Sequence, residues 1–134
     1  MPKSKLKAKP QRRALFYRPE CQTIVDALAD YGDVLQGEYL IPNDLASKMS
    51  GHIEKARGYI DPLVLDALKH ASIEQWLDVS FAEKTAARAV EAISAAINST
   101  GVARLSHQRE AGRLCGHAAQ LLKRARGEDV EIAQ

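Results

Sequence analysis

With 134 residues, of which 46% are hydrophobic and only 5% aromatic, the chain is long enough for one domain that buries about two-thirds of its unfolded surface. The few aromatic residues and the abundant alanine argue against a β-sandwich, and the apolar runs are too short to span a membrane, which takes about twenty residues. The net charge of +2 conceals two regions of opposite sign.

The positive region is the N-terminus. The first eighteen residues hold seven of the nineteen basic side chains and no acidic one, whereas the other 116 residues carry 12 basic and 17 acidic side chains. Residues 1–13 have no apolar face to bury, so we predict that they form a disordered arm. Its basic residues are candidates for binding nucleic acid or an acidic protein surface: Lys3, Lys5, Lys7, Lys9, Arg12 and Arg13.

The first three helices are predicted between Pro19 and His70, where apolar residues recur at spacings of three and four. The first runs from Pro19 to about residue 36, because proline suits a first turn and Gly37 suits a helix end. The second runs from an Asn43 cap to about residue 59. The third is predicted to begin at Asp61-Pro62.

Two capping boxes follow. Ser72 with Gln75 predicts a short helical turn that carries Trp76, and Ser80 with Glu83 predicts the start of a long helix. One side of this helix carries a row of mostly small residues, which would let another helix approach closely, either within the chain or across a twofold homodimer. The row consists of Ala82, Ala86, Ala89, Ile93 and Ala96.

Residues 98–101 are expected to end the long helix, and a last helix is predicted from Ser106 to about Arg126, with Gly127 as its stop. Residues 128–134 should form a frayed acidic tail. The chain is therefore predicted to be all-α, a single-domain bundle of about five helices over residues 14–127. We expect its core to include Leu28, Leu68, Trp76, Ile93 and Leu121.

The last predicted helix has an apolar side and a basic side. Arginine and lysine spaced by about one turn can follow a row of phosphates. The candidate partner-binding residues on the basic side are Arg109, Arg113, His117, Lys123 and Arg124. A solvated surface without a partner is the alternative interpretation of this side and of the arm.

No motif for catalysis is found, and a non-enzymatic protein is predicted. Asp66, His70 and Glu74 are spaced by four, but a cap at Ser72 would break the helix between them. Residues 44–52 and 108–117 are similar to a helix-turn-helix, yet uninterrupted helices explain both segments better.

Metal and cofactor sites are not predicted either. Cys115 and His117 are two positions apart, which points them to different sides of a helix, and the other cysteine and histidines lack zinc-ligand spacing. Cys21 and Cys115 are far apart and follow no secretory signal pattern, so we expect reduced thiols in a cytoplasmic protein.

Together, these features predict a non-enzymatic binding protein of a nucleic-acid-handling system, which contacts nucleic acid through the arm and the basic side of the last helix. The alternative is a protein–protein adaptor or inhibitor, such as a phage or mobile-element effector, that docks on a larger nucleic-acid-binding complex and blocks it. The acidic body favours this alternative, because a duplex-binding protein usually spreads positive charge over its fold.

Overall fold

The computed structural model describes residues 14–128, which form an all-α bundle without β-strands. A 3₁₀ turn, Leu15–Tyr17, precedes four helices: α1 (Pro19–Leu35), α2 (Asn43–His70), α3 (Ile73–Ile97) and α4 (Gly101–Ala125). The predicted helical bundle is thereby confirmed. The predicted arm and the tail from residue 129 onward lie outside the described residues. None of the four helices has an apolar stretch long enough to cross a lipid bilayer.

The helix count is four rather than about five, because the predicted boundary at Asp61-Pro62 is wrong and both residues lie inside α2. Ile60 and Leu63, on either side of them, are both buried. The free energy gained by burying this continuous apolar face exceeds the cost of the backbone hydrogen bond that proline removes from a helix interior. The predicted Asn43 cap is also wrong, since the N-cap position is Pro42.

The Ser72–Gln75 capping box is confirmed. The Ser72 hydroxyl accepts the Gln75 backbone N–H at 3.1 Å, and the Gln75 side-chain oxygen accepts the Ser72 backbone N–H at 3.0 Å. This box starts the whole of α3, so the predicted start at Ser80 is wrong. Val79 and Ala82 are fully buried, which shows that one buried face continues past Ser80.

The last helix begins at Gly101, before the predicted Ser106, and ends at Ala125, close to the predicted end. Residues 101–105 offer only one apolar pair at helical spacing, Val102 and Leu105, which is too short a repeat to predict this extra turn. A contact between distant residues holds it, because the Arg104 guanidinium donates to the Ile41 carbonyl oxygen at 2.6 Å.

α3 packs against both α2 and α4, and α4 also packs against α1, whereas α1 and α2 make little contact. The small-residue row of α3, predicted to face another helix, is buried within the chain. The backbones of α1 and α4 lie close together at glycines, since a Cβ added to Gly112 would lie 2.8 Å from the Gly32 carbonyl oxygen.

Three of the five predicted core residues, Leu28, Ile93 and Leu121, are buried, and Trp76 packs half-buried against the core. Leu68 is 62% exposed, so its prediction is wrong. In a continuous α2 the buried face passes through Ala67, and the next residue is turned about 100° away from it.

Candidate functional site

The 3₁₀ turn is anchored by hydrogen bonds to α2 and α3, and the α3 residue that holds it also bonds to the end of α4. The Leu15 backbone N–H donates to the buried Asp66 carboxylate of α2 at 2.7 Å. The Gln75 amide of α3 donates to the Tyr17 hydroxyl at 2.7 Å and to the Ala125 carbonyl of α4 at 2.9 Å. The turn therefore lies at the end of the bundle that holds the C-terminus of α4.

The predicted basic side of α4 forms one wall of a groove of about 350 Å³, and α3 forms the other wall. Three of its predicted residues, Arg113, His117 and Arg124, line this groove. Arg109 lines a neighbouring depression that shares Arg113 with the groove. Lys123 lies in the last turn of α4 and lines neither. Four of the five predicted partner-binding residues of α4 therefore lie along one surface.

Two arginines of the basic side are already paired with carboxylates. Arg113 donates to both oxygens of Glu110, at 2.8 and 2.7 Å, and Arg124 donates to both oxygens of Asp78, at 3.0 and 2.7 Å. The hydrogen bond from Arg113 holds the pKa of the Glu110 carboxyl below its usual value. These forked pairs leave less net positive charge on the basic side than its sequence suggests.

α3 contributes an arginine that sequence analysis did not single out. Arg88 is exposed, lines the groove, and takes part in none of the ion pairs found among residues 14–128. Arg109 is likewise exposed and outside those pairs. Arg88 and Arg109 are therefore the charges of this surface that are most available to a bound anion.

His117 lies partly buried in the same groove. Burial lowers the pKa of its imidazole, and the nearby Arg113, Arg124 and Arg88 lower it further. The ring is therefore neutral at neutral pH and acts as a hydrogen-bonding group rather than as a fourth cation.

Large apolar side chains are exposed close to the α2–α3 turn and along the start of α3. We call them the apolar strip, and their exposed fractions range from 38% to 73%. The three members on α3 are spaced by four residues, which places them on one side of that helix. The strip consists of Leu65, Leu68, Ile73, Leu77 and Phe81.

A mostly apolar cleft of about 420 Å³ lies between α1 and α2, where the two helices make little contact. Cys21 lines it, and burial raises the pKa of this thiol to about 11. Such a thiol is protonated at neutral pH and is a poor nucleophile. Cys115 is buried as well, both cysteines are free, and burial raises the pKa of Cys115 to about 12.

The six arm residues singled out from the sequence, Lys3 to Arg13, lie outside the described residues and stay a prediction. Within residues 14–128, no three side chains of histidine, cysteine, aspartate or glutamate are grouped so that they could hold a metal ion. Compared with protein-family models, curated proteins and solved structures, the chain shows no significant match to any of them.

Proposed function

We propose that this chain is a non-enzymatic binding protein of a nucleic-acid-handling system and that it contacts nucleic acid through its basic arm and the basic side of α4. The observation that carries the proposal is the anchoring of the 3₁₀ turn by Asp66 and Gln75. Ala14, to which the arm is joined in sequence, therefore lies at the end of the bundle that carries Lys123 and Arg124. A single polyanion could then reach both groups of cations at once, which raises its affinity without any further contact.

The second candidate is a protein–protein adaptor or inhibitor, such as a phage or mobile-element effector, that blocks a larger nucleic-acid-binding complex. The apolar strip favours it, because its three α3 members lie on one side of that helix, and a row of exposed apolar residues marks partner surfaces more often than nucleic-acid sites. The pairing of Arg113 and Arg124 with carboxylates points the same way. In this case the arm and the arginines would dock on an acidic protein surface.

The two candidates differ in how binding depends on salt. We would measure binding of labelled duplex and single strands to the wild type and to Arg109→Gln at two salt concentrations. Each lost phosphate contact should flatten the salt slope by about 0.9 for a duplex and about 0.7 for a single strand. Arg109 suits this test because it is exposed and outside the ion pairs, whereas loss of Arg124 would leave the buried Asp78 without its partner.

Lys48→Gln is the matched control, because Lys48 is also exposed but lies on α2. It should leave the salt slope unchanged. If the wild type bound neither the duplex nor the single strand at low salt, the first candidate would be contradicted. The adaptor or inhibitor would then be the remaining candidate.

A further inference from the structure

Phe81 is one of two phenylalanines in the chain, and the two differ in their exposure to solvent. Phe16 is fully buried, whereas Phe81 is 52% exposed and lines the groove between α3 and α4. Leaving an aromatic ring half in water forgoes part of its burial energy. The exposed ring is therefore available to stack against a planar group of a ligand.

The cations around this ring come from both walls of the groove. Arg88 follows Phe81 by seven residues on α3, which places it on the same side of the helix about 10 Å along the axis. Arg113 and Arg124 face them from α4. The carboxylate pairs use only two of the five N–H donors of each of these guanidiniums, so both can still donate to a phosphate.

An exposed aromatic ring beside arginines is the composition that binds single-stranded nucleic acid, where bases stack on the ring and cations follow the backbone. A duplex offers phosphates but no base to stack on the ring, because its base faces are covered by the neighbouring base pairs, and its major groove is read by an element that protrudes. The site on this protein is a groove, and its volume of about 350 Å³ is in the range of small-ligand sites.

We infer that the groove between α3 and α4 binds a single-stranded segment of nucleic acid, with one base stacked on Phe81 and the adjoining phosphates held by Arg88, Arg113 and Arg124. This inference rests on the proposed function and specifies its ligand as a single strand. His117, neutral at neutral pH, lies within the groove as a hydrogen-bonding group for the base or the sugar.

The test compares Phe81→Leu and Phe81→Trp with the wild type, using a labelled oligothymidylate and a duplex of equal length. Loss of one stacked base should weaken single-strand binding by roughly tenfold without changing the salt slope. Phe81→Trp keeps a stacking surface and should bind within about twofold of the wild type. Arg88→Gln should instead flatten the single-strand salt slope by about 0.7.

Tyr59→Leu is the matched control, because Tyr59 is an aromatic residue of α2 that is 58% exposed and lines the cleft on the α1–α2 side. It should bind the single strand as the wild type does. Thermal unfolding of each variant checks that the helices remain folded, and Phe81→Trp and Arg88→Gln keep the inference testable should Phe81→Leu fail to fold.

The inference is wrong if the wild type prefers the duplex, or if Phe81→Leu and the wild type bind the oligothymidylate equally tightly. In both cases the wild type still binds nucleic acid, so the proposed function stands. If the wild type bound neither nucleic acid at low salt, both the inference and the proposed function would be overturned. The adaptor or inhibitor would then be the remaining candidate.

Discussion

At the scale of single residues, buried polar side chains join segments that are distant in sequence. Gln108 is 3% exposed and its amide accepts the Ile41 backbone N–H at 2.8 Å while it donates to the Tyr39 carbonyl at 2.9 Å. One side chain of α4 thereby pairs with two backbone groups of the segment that links α1 to α2. Because unpaired polar groups are costly in the protein interior, such contacts fix the path of the chain.

His117 is the residue from which we predict a pH dependence. In the unfolded chain a histidine titrates near pH 6.5, and burial and the adjoining arginines hold the pKa of His117 lower in the folded protein. Between these two pKa values the unfolded state binds more protons, so His117 makes the folded protein less stable as the pH falls through about 6.5.

We therefore expect His117→Gln to lose less stability than the wild type between about pH 7 and pH 5, since glutamine does not titrate. Urea unfolding at a series of pH values measures this difference. Parallel curves for the two proteins would show that His117 does not titrate differently in the folded and unfolded states.

At the scale of elements, the contact of α4 with α1 depends on glycine at one position of α4 and not at another. A Cβ on Gly112 would lie 2.8 Å from the Gly32 carbonyl oxygen and 2.9 Å from the Gln36 backbone nitrogen. A Cβ on Gly116, one turn later in α4, would meet no atom within 4 Å. The two glycines therefore make a matched pair.

We expect Gly112→Ala to lower the free energy of unfolding by roughly 1–3 kcal/mol, because the two backbones must move apart. Gly116→Ala should instead raise it by up to about 1 kcal/mol, since alanine favours the helix. Chemical unfolding of both variants checks the opposite signs. A stabilising Gly112→Ala would mean that α1 and α4 are farther apart than described.

The continuity of α2 through Pro62 gives a second prediction for an element. Pro62 is exposed and lies in the helix interior, where proline removes one hydrogen bond and crowds the preceding turn. Pro62→Ala should raise the free energy of unfolding by roughly 1–3 kcal/mol, less than the full helix preference of alanine because proline also stiffens the unfolded chain. If Pro62 instead began a separate helix, the change would be neutral or destabilising, and thermal unfolding distinguishes the two.

At the scale of the whole molecule, the 3₁₀ turn, the groove and the apolar strip all involve α3 or the C-terminal end of α4. Asp66 and Gln75 hold Leu15 and Tyr17 of the turn, while Phe81 belongs to both the groove and the apolar strip. Nucleic acid and a protein partner would therefore compete for Phe81 if both bind.

Removal of residues 2–13 takes away six positive charges and leaves the bond between Leu15 and Asp66 in place. We expect little change in the melting temperature and weaker nucleic-acid binding, with the largest loss at low salt. Salt-dependent binding beside thermal unfolding checks both expectations. Unchanged binding at low salt would show that the arm makes no contact with the polyanion.

The sequence by itself determined the features that depend on residues close together in the chain. The helical class, the Ser72–Gln75 capping box, the break at residues 98–101 and the buried small-residue row of α3 follow from local periodicity and capping. The basic side of α4 follows from the same periodicity. The pair of Arg113 with Glu110 was not predicted, although it also joins residues one turn apart.

Only the tertiary structure decided which predicted boundaries disappear and which side chains meet. The helices continue through Pro62 and Ser80 because their buried faces pack against neighbouring helices, and this packing outweighs the local signals for a start. The pair between Asp78 and Arg124, and the approach of Phe81 to the arginines of α4, join residues more than thirty positions apart. Helical periodicity orients each side chain on its own helix, but which helices become neighbours depends on how the whole chain packs.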